Sequence, residues 1–258
     1  MTNVRAAFFD LDKTVIAKSS LVAFGPEFHA RGLLHRRTLV RAVVTQILFL
    51  RFGADEEKLD KMRRSVLKVT RGWDRDEVRQ LVTSTLDEVI EPLIYAEALA
   101  LIDHHRELGD EVWLISSAPS EIVEPFAVLL GLTGAVASRA RVDDEGKFTG
   151  ELEFFAQGEN KARAIIELAA ARGIELAGSY AYSDSATDVP MLEAVGHPYA
   201  VNPDRSLARV ARERSWPILS FTHPVRVHDH EPSRTPYLVS ALIIGVAALL
   251  GRIGGRRG

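Results

Sequence analysis

The chain reads Ala6-Ala7-Phe8-Phe9 and then Asp10-Leu11-Asp12, with a hydroxyl following at Thr14. A short apolar run of this kind reads as a buried strand. The two carboxylates then fall at its C-terminal end, where open α/β sheets place their ligand sites. Residues i and i+2 on an extended chain point to the same side, so Asp10 and Asp12 are expected to converge on one substrate atom. Taken alone, the stretch also suits a strand followed by an Asp-rich turn. The choice depends on whether the rest of the chain supplies partners for the two acids.

With 258 residues, the chain can hold one large domain, or one core with an insertion. Its 47% hydrophobic and 26% charged residues are ordinary globular usage. A net charge of −3 gives no electrostatic case for nucleic acid as a partner. There is no cysteine, which excludes disulfides, thiol catalysis and cysteine-based zinc or iron–sulfur sites and fits a reducing cytoplasm. The N-terminal apolar run is too short for a signal peptide and ends in acid.

After Thr14 the pattern turns helical up to about Ile94. Residues 33–52 carry Leu39, Val43, Ile47 and Leu50 at three- and four-residue steps, and residues 58–69 carry Leu59, Met62, Val66 and Val69. A third helix, residues 74–90, opens with Asp74 and Glu77 in a capping-box arrangement. A shorter one, residues 21–30, is interrupted by Gly25-Pro26. This block reads as a helical bundle inserted after the first strand. Its arginines (Arg31, Arg36, Arg37, Arg41, Arg51, Arg63 and Arg64) suit either an anionic ligand or a solvated helix face.

From Tyr95 helices and strands alternate. Helices are expected over residues 96–108, 122–130 and 161–171, with Gly109, Gly131 and Gly173 as their stops. Strands are expected over 111–115, 135–138, 179–183 and 198–201, with residues 116–120 a loop and 142–148 a hairpin turn. Such alternation argues for a mostly parallel sheet covered on both faces.

Residues 222–236 hold three prolines and three histidines with little apolar content, and read as a linker with exposed histidines. Residues 237–251, YLVSALIIGVAALLG, carry no charge. A spanning helix needs ~20 apolar residues and a buried core helix fewer. The run therefore suits a membrane anchor or a helix docked on the core or on a second subunit. Arg226 and Arg234 before it and Arg252, Arg256 and Arg257 after it leave its orientation open.

Asp10 and Asp12, Ser116, Lys161, and Asp184 and Asp188 all stand at strand ends or helix starts, and a parallel sheet lines such positions along one edge. Several carboxylates in one cleft call for a cation, and all-oxygen ligation suits Mg²⁺ with phosphate oxygens completing its shell. A lysine and a hydroxyl would hold the remaining phosphate oxygens. Asp10 would attack phosphorus in line to form an aspartyl-phosphate. Asp12 would protonate the leaving oxygen and then deprotonate the hydrolytic water.

The set resembles the haloacid dehalogenase superfamily of phosphohydrolases, in its phosphoserine-phosphatase-like branch, subfamily IB. Asp10-Leu11-Asp12-Lys13-Thr14 matches the first family motif, Leu114-Ile115-Ser116 the second, Lys161 the third, and Ser183-Asp184-Ser185-Ala186-Thr187-Asp188 the fourth. The likeness covers about residues 4 to 220. It implies an α/β Rossmann-like core (residues 1–16 and 94–221) and an all-helical C1 cap (17–93); the linker (222–236) and a C-terminal hydrophobic helix (237–253) are read from composition alone. It further implies Mg²⁺ held by Asp10, the backbone carbonyl of Asp12, and Asp184, with Asp188 beside it. Ser116 and Lys161 would bind phosphate.

The glutamate with which phosphoserine phosphatases read the substrate amine shortly after the first motif is missing; Ala17-Lys18-Ser19-Ser20 stands there instead. The fourth motif has Ser183 and Thr187 where the family usually has Gly and Asn. The resemblance therefore implies a Mg²⁺-dependent phosphomonoesterase acting on a small phosphorylated metabolite or a lipid headgroup other than phosphoserine. Its catalytic domain would be cytoplasmic, and the C-terminal run would give it a membrane association. Two other readings share the residues: a phosphotransferase or phosphomutase with the same intermediate, and a membrane-tethered regulatory protein without turnover.

Overall fold

The computed structural model describes residues 4–34 and 67–224. Its centre is β1 (Ala6–Phe9), four residues with no solvent exposure. Alternate side chains leave opposite faces of a strand. Phe9 packs with Leu114 and Tyr182 in one apolar cluster, while Phe8 packs with Ile115, Ala181 and Met191 in the other. Burial on both faces is what a central parallel strand requires.

Seven strands form one sheet in the order β4-β3-β2-β1-β5-β6-β7. They are β2 (Glu111–Pro119), β3 (Gly134–Val142), β4 (Phe148–Phe154), β5 (Tyr180–Ser183), β6 (His197–Val201) and β7 (Ile218–Leu219). All pairs are parallel except β3 with β4. The expected α/β fold with a Rossmann-like parallel sheet is thus the fold adopted. The chain steps from β1 to β2 on one side and later to β5 on the other, so β1 lies at the topological switch. Phe9 is in register with both Leu114 and Tyr182, so Asp10, Ser116 and Ser183 emerge along the same edge.

Between β1 and β2 come α1 (Ser20–Ala23), α2 (Gly25–Ala30), α3 (Arg75–Ile90) and α4 (Ala96–Glu107). The break at Phe24 matches the Gly25-Pro26 interruption. Asp74 caps α3 as its sequence predicts, with Oδ1 accepting from the amides of Asp76 and Glu77 at 2.9 and 3.0 Å. Such a cap contributes ~1 kcal/mol. Nearly all of the helix expected over 33–52 and most of that over 58–69 lie outside the described residues; residues 33–34 form a bend, and residues 67–69 of the second expected helix, with 70, are helical. The chain leaves and re-enters the core through one ladder, in which Ala17 N–H donates to Leu93 O (2.8 Å) and Tyr95 N–H to Val15 O (3.0 Å).

The second half follows as α5 (Ser120–Leu129), α6 (Glu159–Arg172), α7 (Val189–Glu193) and α8 (Arg205–Glu213). Gly173 ends α6 in the left-handed conformation, φ 70°.

Three expectations are corrected. Residues 116–119 are strand rather than loop, because β2 keeps pairing with β3 across a register shift between Ser116 and Pro119. Ser138 Oγ pins the shift by donating to Ser117 O at 2.8 Å. Helix α8 had no counterpart in the sequence reading; its N-cap is Asp204, which accepts from Leu207 N–H at 2.7 Å. Thr222 and His223 are not free linker: both backbone amides donate to the Glu97 carboxylate, and Ala96 N–H donates to His223 O. The proposed C-terminal hydrophobic helix and membrane anchor, residues 237–253, lie outside the described residues. Among the described residues no helix is long and apolar enough to cross a membrane.

Candidate active site

The loop after β1 turns sharply because Lys13 takes a left-handed conformation, φ 62°. That conformation is uncommon outside glycine. It bends the chain so that the amides of Thr14, Val15 and Ile16 all donate to Leu11 O at 3.3, 2.9 and 3.1 Å. Asp10 N–H donates to Tyr182 O at 2.9 Å, which ties the end of β1 to the end of β5. The Asp12 carboxylate accepts from the amide of Ser20 at 2.8 Å, at the start of α1.

Lys161 lies in the first turn of α6 and is almost wholly buried. The turn before it is made by Gly158 at φ 57°, ψ −128°, a backbone region essentially reserved for glycine. The Lys161 ammonium bridges two acids, with Nζ 2.7 Å from Asp10 Oδ1 and 2.7 Å from Asp188 Oδ2. Burial works against its charge, but Asp10 and Asp188 outweigh it and hold the amine protonated. Asp188 ends the 3-10 turn Ala186–Asp188, and its Oδ2 also accepts from Ser183 Oγ at 2.7 Å. Its other oxygen, Oδ1, is buried without a hydrogen-bond partner.

Asp184 is also buried; Lys13 Nζ approaches its Oδ2 at 3.6 Å, and its carbonyl accepts from Asp204 N–H at 2.8 Å. Ser116 is buried at the same sheet edge, and its Oγ accepts from Ala118 N–H at 3.2 Å. That bond does not use the hydroxyl proton.

The cluster thus sets Asp10, Asp12, Asp184 and Asp188 against two amines, Lys13 and Lys161. Burial raises Asp10 well above the usual carboxylate range, Lys161 opposes the rise, and Asp188 and Asp184 add to it. Burial pushes Asp184 up to about 6, with Lys13 pulling the other way. Burial likewise raises Asp12, against the hydrogen bond from the Ser20 amide. Such an excess of buried negative charge, with one carboxylate oxygen unpartnered, fits a site completed by a cation. Among the described residues no three acidic or histidine side chains already converge as a metal cluster. The expected donor set needs only two carboxylates and a main-chain carbonyl.

Hydrogen bonds thus join Asp10, Lys161 and Asp188 directly, while Asp184, Ser116 and Asp12 lie around them at the same edge. Asp204 escaped the sequence reading, because it acts only through hydrogen bonds that folding creates; Ser183 was legible as a departure from the fourth motif, but not as a donor to Asp188. Lys13 was seen as part of a motif, but its left-handed turn and its approach to Asp184 left no mark in the pattern.

A profile of the haloacid dehalogenase-like hydrolases matches residues 7–193. The chain belongs to this family. It is 49% identical to an "inhibition of morphological differentiation protein" of Streptomyces azureus, over 94% of this chain and 89% of that one. It is 48% identical to a probable phosphatase of Mycobacterium tuberculosis, over 95% of this chain and 85% of the other. In fold it is similar to a phospho-aspartyl intermediate analogue of phosphoserine phosphatase, with a TM-score of 0.61 at 19% identity, covering 84% of this chain and 94% of that chain. The protein is a phosphatase of the haloacid dehalogenase family, resembling the phosphoserine-phosphatase branch.

Proposed function

We propose that the protein hydrolyses phosphomonoesters through an aspartyl-phosphate on Asp10. The observation that carries this is the buried Lys161 ammonium shared by Asp10 and Asp188 at 2.7 Å each. A cation fixed there opposes the rise that burial imposes on the Asp10 carboxyl. It also stands where the equatorial phosphoryl oxygens of a bound ester would gather charge.

In this mechanism Lys161 and the Ser116 hydroxyl orient the phosphoryl group. Asp10 Oδ attacks phosphorus, and the P–O bond to the alcohol breaks on the opposite side. Asp12 gives its proton to the departing alkoxide; its raised pKa suits an acid at neutral pH. Asp12 then takes a proton from the water that cleaves the acyl phosphate, which releases inorganic phosphate and restores Asp10. Asp188, held by Lys161 and Ser183, positions the lysine. Asp10, the carbonyl of Asp12, and Asp184 are the residues that would hold Mg²⁺. Bound there, the ion would neutralise phosphoryl charge.

Residues 17–93 would serve as a C1 cap over this edge. The Asp12–Ser20 hydrogen bond links the acid/base directly to the first cap helix, so cap position and proton transfer are coupled. The test is hydrolysis of p-nitrophenyl phosphate and a panel of phosphate esters, phospholipids included. Turnover should require Mg²⁺ and fall by at least ~10³-fold in Asp10→Asn. Absence of turnover on every ester would refute the proposal.

A further inference from the structure

The two acids that follow β5 are held in different ways. Lys161 and Ser183 fix the Asp188 carboxylate through hydrogen bonds of 2.7 Å each. Asp184 has no such hold on its side chain. Among the described residues its carboxylate accepts no hydrogen bond, and Lys13 stands off at 3.6 Å. The place of the Asp184 carboxylate therefore depends on its backbone.

Asp204, the N-cap of α8, supplies that hold. Its N–H donates to the Asp184 carbonyl at 2.8 Å, its Oδ2 accepts from Ala186 N–H at 3.0 Å, and its Oδ1 accepts from Leu207 N–H at 2.7 Å. A helix cap needs a single side-chain acceptor. Here the second oxygen and the backbone amide both go to the turn that joins Asp184 to Asp188. Asp204 is itself set from behind. Two positions earlier Asn202 takes a left-handed conformation, φ 43°, which asparagine adopts more readily than most residues. The Asn202 side chain pairs with the backbone of Phe221, Nδ2 donating to Phe221 O and Oδ1 accepting from Phe221 N–H, at 3.0 Å each. The loop after β6 is thus pinned to the chain beyond β7 at one end and to Asp184 at the other.

We propose that Asp204 is a positioning residue that holds Asp184 in place to bind a divalent cation. This rests on the metal-holding role given to Asp184 in the phosphatase reading. The Asp204 carboxylate also adds negative charge beside Asp184, which a cation would relieve.

Metal binding tests this without substrate. Mn²⁺ would be titrated into the full-length protein and the free ion followed by electron paramagnetic resonance. Asp204→Ser keeps a good N-cap for α8, but one short hydroxyl cannot serve Ala186 as well. It should weaken Mn²⁺ binding at least ~10-fold, the loss usual when a group that orients a metal ligand is removed. Asp74→Ala removes the cap of α3 and touches neither acid, so it should leave the affinity unchanged. Should Asp204→Ser not fold, Asp204→Asn, with one carbonyl oxygen for two amides, should show the loss instead. Unchanged Mn²⁺ affinity in the Asp204 variant, an equal loss in Asp74→Ala, or no Mn²⁺ binding by the parent protein would overturn the proposal. If no phosphate ester is hydrolysed but the loss at Asp204 is present, the phosphatase reading fails and the role of Asp204 stands.

Discussion

At the scale of single residues, the site is a matter of compensated charge. Asp10 and Asp188 share the proton-rich Lys161, whereas Asp184 has only Lys13 at 3.6 Å. Its carboxyl is pushed up to about 6 from an ordinary 3.8. Between those values the folded, metal-free protein keeps a proton that the unfolded chain has lost, so stability falls as pH rises through this window. Above about 6 the whole cost is present. Asp184→Asn should therefore be more stable than the parent protein at pH 7 in EDTA, by at most about 2–3 kcal/mol. The advantage should shrink as pH falls from 6 to 4. Urea denaturation across that range checks it, and excess Mg²⁺ should reverse the order by stabilising only the parent. The paired acids stood out in the sequence because Asp10/Asp12 and Asp184/Asp188 follow two strands in the order of the family's first and fourth motifs, whereas Ser116 and Lys161, of types common at a strand end and on a helix, were singled out only with them. Asp204 and the left-handed turn at Lys13 were not. Their meaning lies in hydrogen bonds and a backbone bend that only folding creates.

At the scale of elements, apolar runs and glycine stops marked β1, β2, β3, β5, β6 and the helices α4, α5 and α6, but left β4, β7, α7 and α8 unmarked. They failed where pairing depends on a distant partner. The polar end of β2 is strand because β3 and Ser138 hold it. The segment after Phe221 looked like linker because its composition is polar. Its anchor is Glu97, more than a hundred residues away, which accepts from Thr222 N–H at 2.9 Å. Burial resists ionisation of Glu97, but bonds from Thr222 and His223 outweigh it and hold the carboxyl down at about 2. This contribution is fully present above pH 4.5 and is lost as pH falls through about 2. The strap closes the same ladder that carries the chain into and out of the inserted block, since Tyr95 also pairs with Val15. Glu97→Ala should free the strap, and chymotryptic cleavage after the buried Phe221 should quicken severalfold at pH 7. An unchanged cleavage rate would show that the ring contact between Phe221 and Tyr95, 5.8 Å between centroids, holds the segment by itself.

At the scale of the whole molecule, one register does most of the positioning. Phe9 opposite Leu114 and Tyr182 aligns three loops from three parts of the chain, and α6 brings Lys161 in from above the same edge. The parallel sheet was legible from alternation; the strand order, with β1 at its switch point, was not, because nothing local encodes it. That order gathers four acids at one sheet edge, three of them buried, and the proposed reaction gives them distinct tasks. Asp10 alone bonds to phosphorus. Rapid acid quench during turnover of a slow ester with Mg²⁺, followed by peptide mass analysis, reads this out. One phosphoryl group should be found on the peptide containing Asp10, and none in Asp10→Asn. A phosphoryl group on another residue, or undiminished hydrolysis by Asp10→Asn, would contradict the mechanism.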